Sequence, residues 1–284
     1  MWKKLRKFRL SDAEAFLREH ESSCVSAISR LCAGIIDDVW AAIFPSDSLS
    51  ALLLYGKRLL FPVFRFSAAK RANFLAGGIP LPFFFHQVLK NDPLHAAQGL
   101  VGDMDILEAA LRKKGLFPAS SYDYELRGLT HLAPESGAVS LSGLLIRKPE
   151  IADASALFPL QAGYEKEEVL PCGAQFDPTA CRKGVEYLIA GGMVLTAELK
   201  GRLVGKVNIN AQSYSCLQIG GVYVLPEYRS LGIAQAMTAA LIRELAPLGK
   251  RFTLFVKKAN APARRLYDKL GFVKTGDYRI SYYG

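Results

Sequence analysis

The residues best suited to chemistry lie in one segment, Val222-Tyr223-Val224-Leu225-Pro226-Glu227-Tyr228-Arg229-Ser230-Leu231-Gly232-Ile233-Ala234-Gln235. An apolar, β-type run ends at Pro226, and a short loop turns at Gly232. A helical pattern then begins, with Ile233, Met237, Leu241 and Leu245 recurring every fourth residue. A strand that passes through such a loop into a first helical turn aims several free backbone N–H groups at one point. The positive end of the helix dipole lies behind them, and the result is a cradle for a diphosphate. Arg229 adds a cation to it, and Ala234 is small enough for close packing. A single glycine in such a loop is weak by itself, since many strand-to-helix junctions use one simply to turn. No Lys-Ser/Thr follows the loop, which excludes a nucleotide-hydrolysing P-loop. The absence of Gly-x-Gly-x-x-Gly weighs against a dinucleotide-binding fold.

A second segment follows, Asn260-Ala261-Pro262-Ala263-Arg264-Arg265-Leu266-Tyr267-Asp268-Lys269-Leu270-Gly271-Phe272. Proline at an early position and Gly271 at the end frame a helix over Pro262–Leu270. In the plain reading Asn260 is its N-cap, and Tyr267 is a core aromatic beside Leu266 and Leu270. The two segments together resemble the GNAT N-acetyltransferases. Arg229–Ala234 is similar to that family's Arg/Gln-x-x-Gly-x-Gly/Ala acetyl-coenzyme A signature. Asn260–Phe272 is similar to its second signature, Asn-x-x-Ala-x-x-x-Tyr-x-x-x-Gly-Phe. The resemblance covers about residues 144–284.

The resemblance implies acetyl-CoA as cofactor, with the pantetheine paired to the backbone of Val222, Tyr223 and Val224. It places the diphosphate on the amides of Arg229, Ser230, Leu231, Gly232, Ile233, Ala234 and Gln235, gives Asn260 a cofactor contact, and makes Tyr267 the acid that protonates the departing thiolate. A phenol is well matched to such a leaving group. The expected reaction is direct attack of a primary amine on the thioester. No carboxylate stands at either usual base position of the family, which here hold Phe255 and Gly220-Gly221. Ordered water, or Glu165, Glu167 or Glu168 in a loop expected to be exposed, would have to deprotonate the amine. Tyr223, Tyr282 and Tyr283 are further candidates for lining the acceptor site. The alternatives are a protein or peptide N-acetyltransferase and a non-catalytic acyl-CoA-binding or regulatory module.

These residues need a scaffold, and the pattern supplies a mixed α/β one. A strand at Leu144–Lys148 leads to a helix near Ala152–Tyr164. The charged run Glu165–Glu168 reads as loop, followed by a helix over Thr179–Ala190 and a hairpin, Met193–Leu199 with Leu203–Asn210. The remaining strands are Ile219–Leu225, Phe252–Lys257, Phe272–Lys274 and Arg279–Tyr283. The expected fold is a GNAT-like mixed central β-sheet flanked by helices, over 144–284, preceded by a smaller α/β domain over 1–140. That first domain begins with short helices over Asp12–Gly34, Asp12 being the N-cap. It continues with a hairpin at 51–66 turning at Tyr55-Gly56-Lys57-Arg58, a strand near Phe83–Phe85, a helix over Asp103–Lys114 and a strand at Tyr122–Leu129. The order loosely resembles a degenerate GNAT-like half, with Gly99-Leu100-Val101-Gly102-Asp103 as a worn strand-to-helix turn. The turn-rich stretch His131–Gly143 reads as the linker.

Composition narrows the partners. The 284 residues are half hydrophobic, enough for two packed cores. Residues 1–143 carry 17 basic and 14 acidic side chains and residues 144–284 carry 19 and 12, within a net charge of +10. The C-terminal surplus fits an anionic partner. Lys257, Lys258, Arg264, Arg265 and Lys269 crowd the second signature, where a coenzyme A phosphate is the simpler account. No aromatic-interleaved basic patch argues for nucleic acid. Five cysteines without dense spacing, and no zinc-like set with the four histidines, fit a reducing cytoplasm and no metal. Leu49–Phe66 is interrupted by Gly56-Lys57-Arg58, and Phe74–Leu89 by two prolines, so neither reads as a membrane span. The basic start Met1–Arg9 lacks a following apolar run, so export is not expected. The chain is expected to be cytoplasmic, monomeric or homodimeric, with a small-molecule or peptide amine as acceptor.

Overall fold

The computed structural model describes residues 2–5, 10–43, 49–77, 79, 81, 93–133 and 141–283. The chain divides into two compact units, Met1–Leu126 with Gly276–Gly284, and Arg127–Thr275. The strand expected near Phe83–Phe85 and residues 134–140 of the expected linker lie outside the described residues.

The first unit holds β1 (Trp2–Lys4), α1 (Leu10–Glu19), α2 (Val25–Cys32), β2 (Asp38–Ile43), β3 (Leu49–Gly56), β4 (Leu59–Phe64), α3 (Ala68–Gly77), β5 (Ala96–Leu100), α4 (Val101–Arg112) and the start of β6 (Ser120–Leu129). Helix α1 starts at Leu10, so Asp12 is not the cap; it sits inside the first turn, where the helix dipole favours a carboxylate. Strands β1 to β4 run antiparallel in sequence. The β3–β4 hairpin turns on Lys57 and Arg58, both left-handed at φ 49° and 62°. The strain is offset locally: the Lys57 amide donates to Asp37 Oδ2 at 3.2 Å, and Arg58 Nε to the Pro93 carbonyl at 2.7 Å. Strand β5 pairs with β4 in parallel over just Leu59–Leu60 against Ala96–Ala97. Leu53, Leu60, Phe64, Met104, Ile106 and Leu107 centre the core.

The second unit holds β7 (Leu144–Arg147), α5 (Ala154–Tyr164), α6 (Pro178–Gly191), β8 (Val194–Leu199), β9 (Arg202–Gln212), β10 (Cys216–Val224), α7 (Ile233–Leu245), β11 (Arg251–Lys257), α8 (Ala261–Leu270) and the start of β12 (Phe272–Tyr282). With the end of β6, its strand order is β12-β6-β11-β10-β9-β8-β7. One face of the sheet packs on α7 and α8 through Val204, Val207, Leu217, Met237, Leu241, Tyr267 and Leu270. The other packs on α5 and α6 through Leu157, Leu160, Val185, Leu203 and Tyr223.

Two expectations need correction. The last strand is one continuous element, not two, because Gly276 stays extended where a Cβ would press Leu100 at 3.3 Å. Here glycine marks close approach rather than a break. Glu165–Val169 is not a loop but a π-helical turn that continues α5. Among the described residues, no helix is long and apolar enough to cross a membrane.

Candidate functional site

Strand β10 has two neighbours and departs from one of them. It pairs in parallel with β11 over Cys216–Ile219 against Arg251–Leu254, and antiparallel with β9 along most of its length. Between Gly220, opposite Asn208, and Tyr223, opposite Lys206, β10 spends one residue more than β9, which makes a β-bulge. Gly221 is left-handed there, at φ 58°. A Cβ on Gly220 would land on the Asn210 amide, and one on Gly221 on Asn208 Oδ1 and Lys206 Nζ. The glycine pair, which in sequence reads merely as a missing carboxylate, therefore builds the bulge. The pairing with β11 stops at Ile219, and among the described residues the Val222–Val224 edge on that side carries no strand partner.

The loop after β10 makes a 3-10 turn at Pro226–Tyr228, then two left-handed residues, Ser230 (φ 64°) and Gly232 (φ 80°), before α7. Gly232 is the N-cap and supplies no side-chain cap; the first intrahelical bond is from the Ala236 amide to the Gly232 carbonyl, at 3.0 Å. The amides of Ile233, Ala234 and Gln235 thus precede the helix ladder and point out along the axis, an arrangement that takes an anion. Ser230 and Leu231 are exposed beside them. Arg229 is engaged elsewhere: its Nε donates to the Val224 carbonyl at 3.0 Å, its guanidinium lies over the Tyr223 ring, and its outer nitrogen meets both Glu167 oxygens, at 2.8 and 3.1 Å.

The π-helical turn brings its carboxylates to this region. Glu167 also accepts from the Tyr223 hydroxyl at 2.7 Å, and burial together with that carboxylate pushes the Tyr223 phenol up to about 12. Glu168 accepts from Asn260 Nδ2 at 3.1 Å and pairs with Lys257 at 3.3 Å, while Glu165 accepts from Gln161 at 2.8 Å. All three lie in a helical turn rather than a loop and have partners, while Glu167 stays exposed as expected. Asn260 is the N-cap of α8, accepting from the Ala263 amide at 3.1 Å, and its Nδ2 donates to Glu168. Tyr267 lies buried on the inner face of α8, its ring edge-on to Phe272. Burial, with Tyr164 and Glu168 adding to it, raises the Tyr267 phenol well above its ordinary value, so the group keeps its proton at neutral pH.

Tyr282 and Tyr283 do not join this group. They belong to the first unit, Tyr282 against the rings of His95 and Tyr122, and Tyr283 in that unit's core. The turn at Gly99–Asp103 joins β5 directly to α4. Asp103, in the first turn of α4, accepts from the Phe64 amide at 3.2 Å and pairs with Arg71 at 2.8 Å. Burial raises its carboxyl to about 6.

Sequence reasoning misses a polar row on β9, Lys206, Asn208 and Asn210. Lys206 is fully buried and donates to Asn208 Oδ1 and to the Gly221 carbonyl, both at 2.9 Å; Asn208 in turn donates to Asn210 at 2.8 Å. Tyr164 covers the row, with Lys206 Nζ 4.8 Å from its ring centre, and hydrogen-bonds the Gly221 backbone and Asn210. A signal for it exists: three polar residues at alternate positions place one polar stripe on a strand face that is otherwise apolar.

Residues 165–272 match the model of the Acetyltransferase (GNAT) family. The chain is similar to a mycothiol acetyltransferase of Saccharomonospora viridis, 31% identical over 146 residues, which cover 44% of this chain and 48% of that protein. A mycothiol acetyltransferase of Thermobispora bispora is 40% identical over 86 residues, 28% of this chain and 29% of that protein. The matches thus span about half or less of these curated relatives. Among solved structures, a GNAT-family acetyltransferase from Colwellia psychrerythraea superposes with a TM-score of 0.58 at 14% identity, over 100% of this chain and 99% of that one. A tandem GNAT protein from the clavulanic acid biosynthesis pathway gives 0.56 at 12%, over 99% and 97%. The expected fold class, a mixed sheet flanked by helices in the GNAT manner, and the family resemblance read from the two signatures are both borne out.

Proposed function

We propose, from the match of residues 165–272 to the GNAT acetyltransferase model, that this chain is an acetyl-CoA-dependent N-acetyltransferase acting on a primary amine, with 144–284 as the transfer domain and 1–140 as a degenerate GNAT-like half. The observation that carries the reading is the Val222–Val224 edge, without a strand partner on its β11 side among the described residues, followed by a helix N-terminus whose first amides are open. An extended, amide-bearing chain ending in a diphosphate fits both at once. Acetyl-CoA supplies, when bound, the thioester that the amine attacks directly, with the thiol as leaving group.

The chain's own residues divide the remaining work. Val222, Tyr223 and Val224 offer backbone groups that orient an extended ligand and polarise a carbonyl beside it. The amides of Arg229 to Gln235 receive the diphosphate, Asn260 fixes the mouth of the groove, and Tyr267 delivers a proton to the leaving sulfur. The names of the curated relatives favour a small-molecule acceptor, and the acidic turn Glu165–Glu168 suits a cationic one. In the first unit Asp103 takes the Phe64 amide that an equivalent ligand would need, which supports the degenerate reading of that half.

Titration calorimetry with acetyl-CoA, desulfo-CoA and ATP tests the proposal, followed by thiol release with a panel of amines. Micromolar binding of acetyl-CoA and not ATP, abolished by Arg229→Glu, is the expected result. No binding at all overturns the reading. Binding without transfer to any amine favours the regulatory alternative, for which the phenylalanine at 255 and the glycines at 220 and 221, in place of a base, are the motivating observation.

A further inference from the structure

We propose that Lys206 is a positioning residue for acyl transfer: its buried side-chain nitrogen, held against the Gly221 carbonyl, sets the β10 bulge and thereby the direction of the Val222 amide. The inference rests on the reading above, in which β10 receives the cofactor.

The geometry starts from the bulge. A bulge removes one ladder bond and leaves a backbone group to be satisfied in another way. Here the Gly221 carbonyl finds Lys206 Nζ at 2.9 Å, and the same nitrogen donates to Asn208 Oδ1 at 2.9 Å. Its third direction faces the Tyr164 ring, 4.8 Å away. Two carbonyl-type oxygens and one aromatic face satisfy the donors of an ammonium, and the two oxygens alone satisfy those of a neutral amine. The contact thus persists in either protonation state. Glu165 and Cys181 also act on the group, Glu165 more strongly, and Tyr164 packs over it. Burial lowers its proton affinity to about 7.

The consequence for β10 follows from peptide geometry. The Gly221–Val222 bond is trans, so its C=O and N–H point in opposite directions. Fixing the carbonyl on Lys206 directs the Val222 amide away from Lys206, as the first donor of the free edge Val222–Val224. The fit is tight on the glycine side as well, since a Cβ at Gly221 would sit 2.5 Å from Nζ. A lysine with no solvent access is costly to keep in a core. Methionine, of similar length and without donors, would fill the same space.

The experiment compares the whole chain with Lys206→Met by two readings. The first is hydrogen exchange of the Gly220–Val224 backbone, with Cys216–Ile219 and Arg251–Leu254 as internal controls. The second is acetyl-CoA affinity by calorimetry, with kcat and KM from thiol release. The proposal expects at least tenfold faster exchange confined to the bulge, at least tenfold weaker acetyl-CoA binding, and a fall in kcat. A folded Lys206→Met protein with unchanged bulge exchange, or with affinity within twofold of wild type, overturns it. If the wild type itself binds no acetyl-CoA, the functional reading fails, while the exchange result still decides the structural claim. Should Lys206→Met not fold, Lys206→Gln keeps a donor on a shorter stem. It is expected to move both readings the same way by less, and unchanged readings there overturn the proposal equally.

Discussion

Glu167 grips Arg229 through both carboxylate oxygens, at 2.8 and 3.1 Å, and takes the Tyr223 hydroxyl at 2.7 Å. A carboxylate therefore sits on the cation that opens the loop before α7. Both side chains are 44% exposed, so the ion pair contributes little to stability, under about 1 kcal/mol. Its effect on an anionic ligand is larger in kind, because that ligand must share or displace it. Glu167→Gln is expected to leave the melting temperature within a few degrees of wild type and to tighten acetyl-CoA binding several-fold in calorimetry. Weaker binding would instead give Glu167 the task of holding Arg229 in place.

Tyr267→Phe removes a hydroxyl from a buried ring and nothing else. If the phenol protonates the leaving thiolate, kcat falls by roughly 10²–10⁴-fold, the usual worth of a general acid, with acetyl-CoA affinity little changed. Steady-state thiol release and calorimetry on the same preparation check both halves. Turnover within twofold of wild type would return Tyr267 to a purely packing role beside Phe272.

Gly221→Ala tests the bulge from the other strand. A left-handed backbone at φ 58° and a Cβ placed on Asn208 and Lys206 together cost about 1–3 kcal/mol. Denaturant unfolding is expected to show that loss. An alanine variant as stable as wild type would mean that β10 takes a different path here.

Lys206 also leaves a signature in the pH dependence of stability. Its folded value, about 7, lies below the ordinary 10.5. Above about 10.5 both states carry the neutral amine. As pH falls toward 7 the unfolded chain binds a proton that the folded chain refuses, so stability falls; below about 7 both are protonated and the effect stops changing. Stability should thus rise with pH between about 7 and 9.5, by at most about 1.4 kcal/mol per unit from this group. Lys206→Met should remove that part of the slope. Parallel wild-type and variant slopes in urea unfolding at pH 7 and 9 would contradict it.

The loop between β10 and α7 is legible in the sequence because it is local. Gly232 needs a left-handed backbone, Pro226 stops a strand, and the four-residue period from Ile233 to Leu245 starts a helix, each within a few residues. The same holds for α8, where Asn260, Pro262 and Gly271 mark both ends. The charged run Glu165–Glu168 misleads because composition cannot tell a solvated loop from a helical turn whose carboxylates meet partners 56 to 92 residues away. Gly276 misleads for a related reason: its neighbour Leu100 is distant in sequence.

What the sequence determined by itself is therefore the two signatures that resemble a family, the order of elements in the second unit and the turn that leads into α7, all consequences of backbone conformations that neighbouring residues dictate. What the tertiary structure decided is the shape of the strand edge. The bulge at Gly220-Gly221 arises because Lys206, Asn208 and Asn210 come to it from another strand. The buried Lys206 acquires its character from Tyr164 and Glu165, at the end of α5 and the turn that continues it, and from Cys181 on α6. Long-range pairing of this kind depends on which residues packing makes neighbours, and no local pattern encodes it.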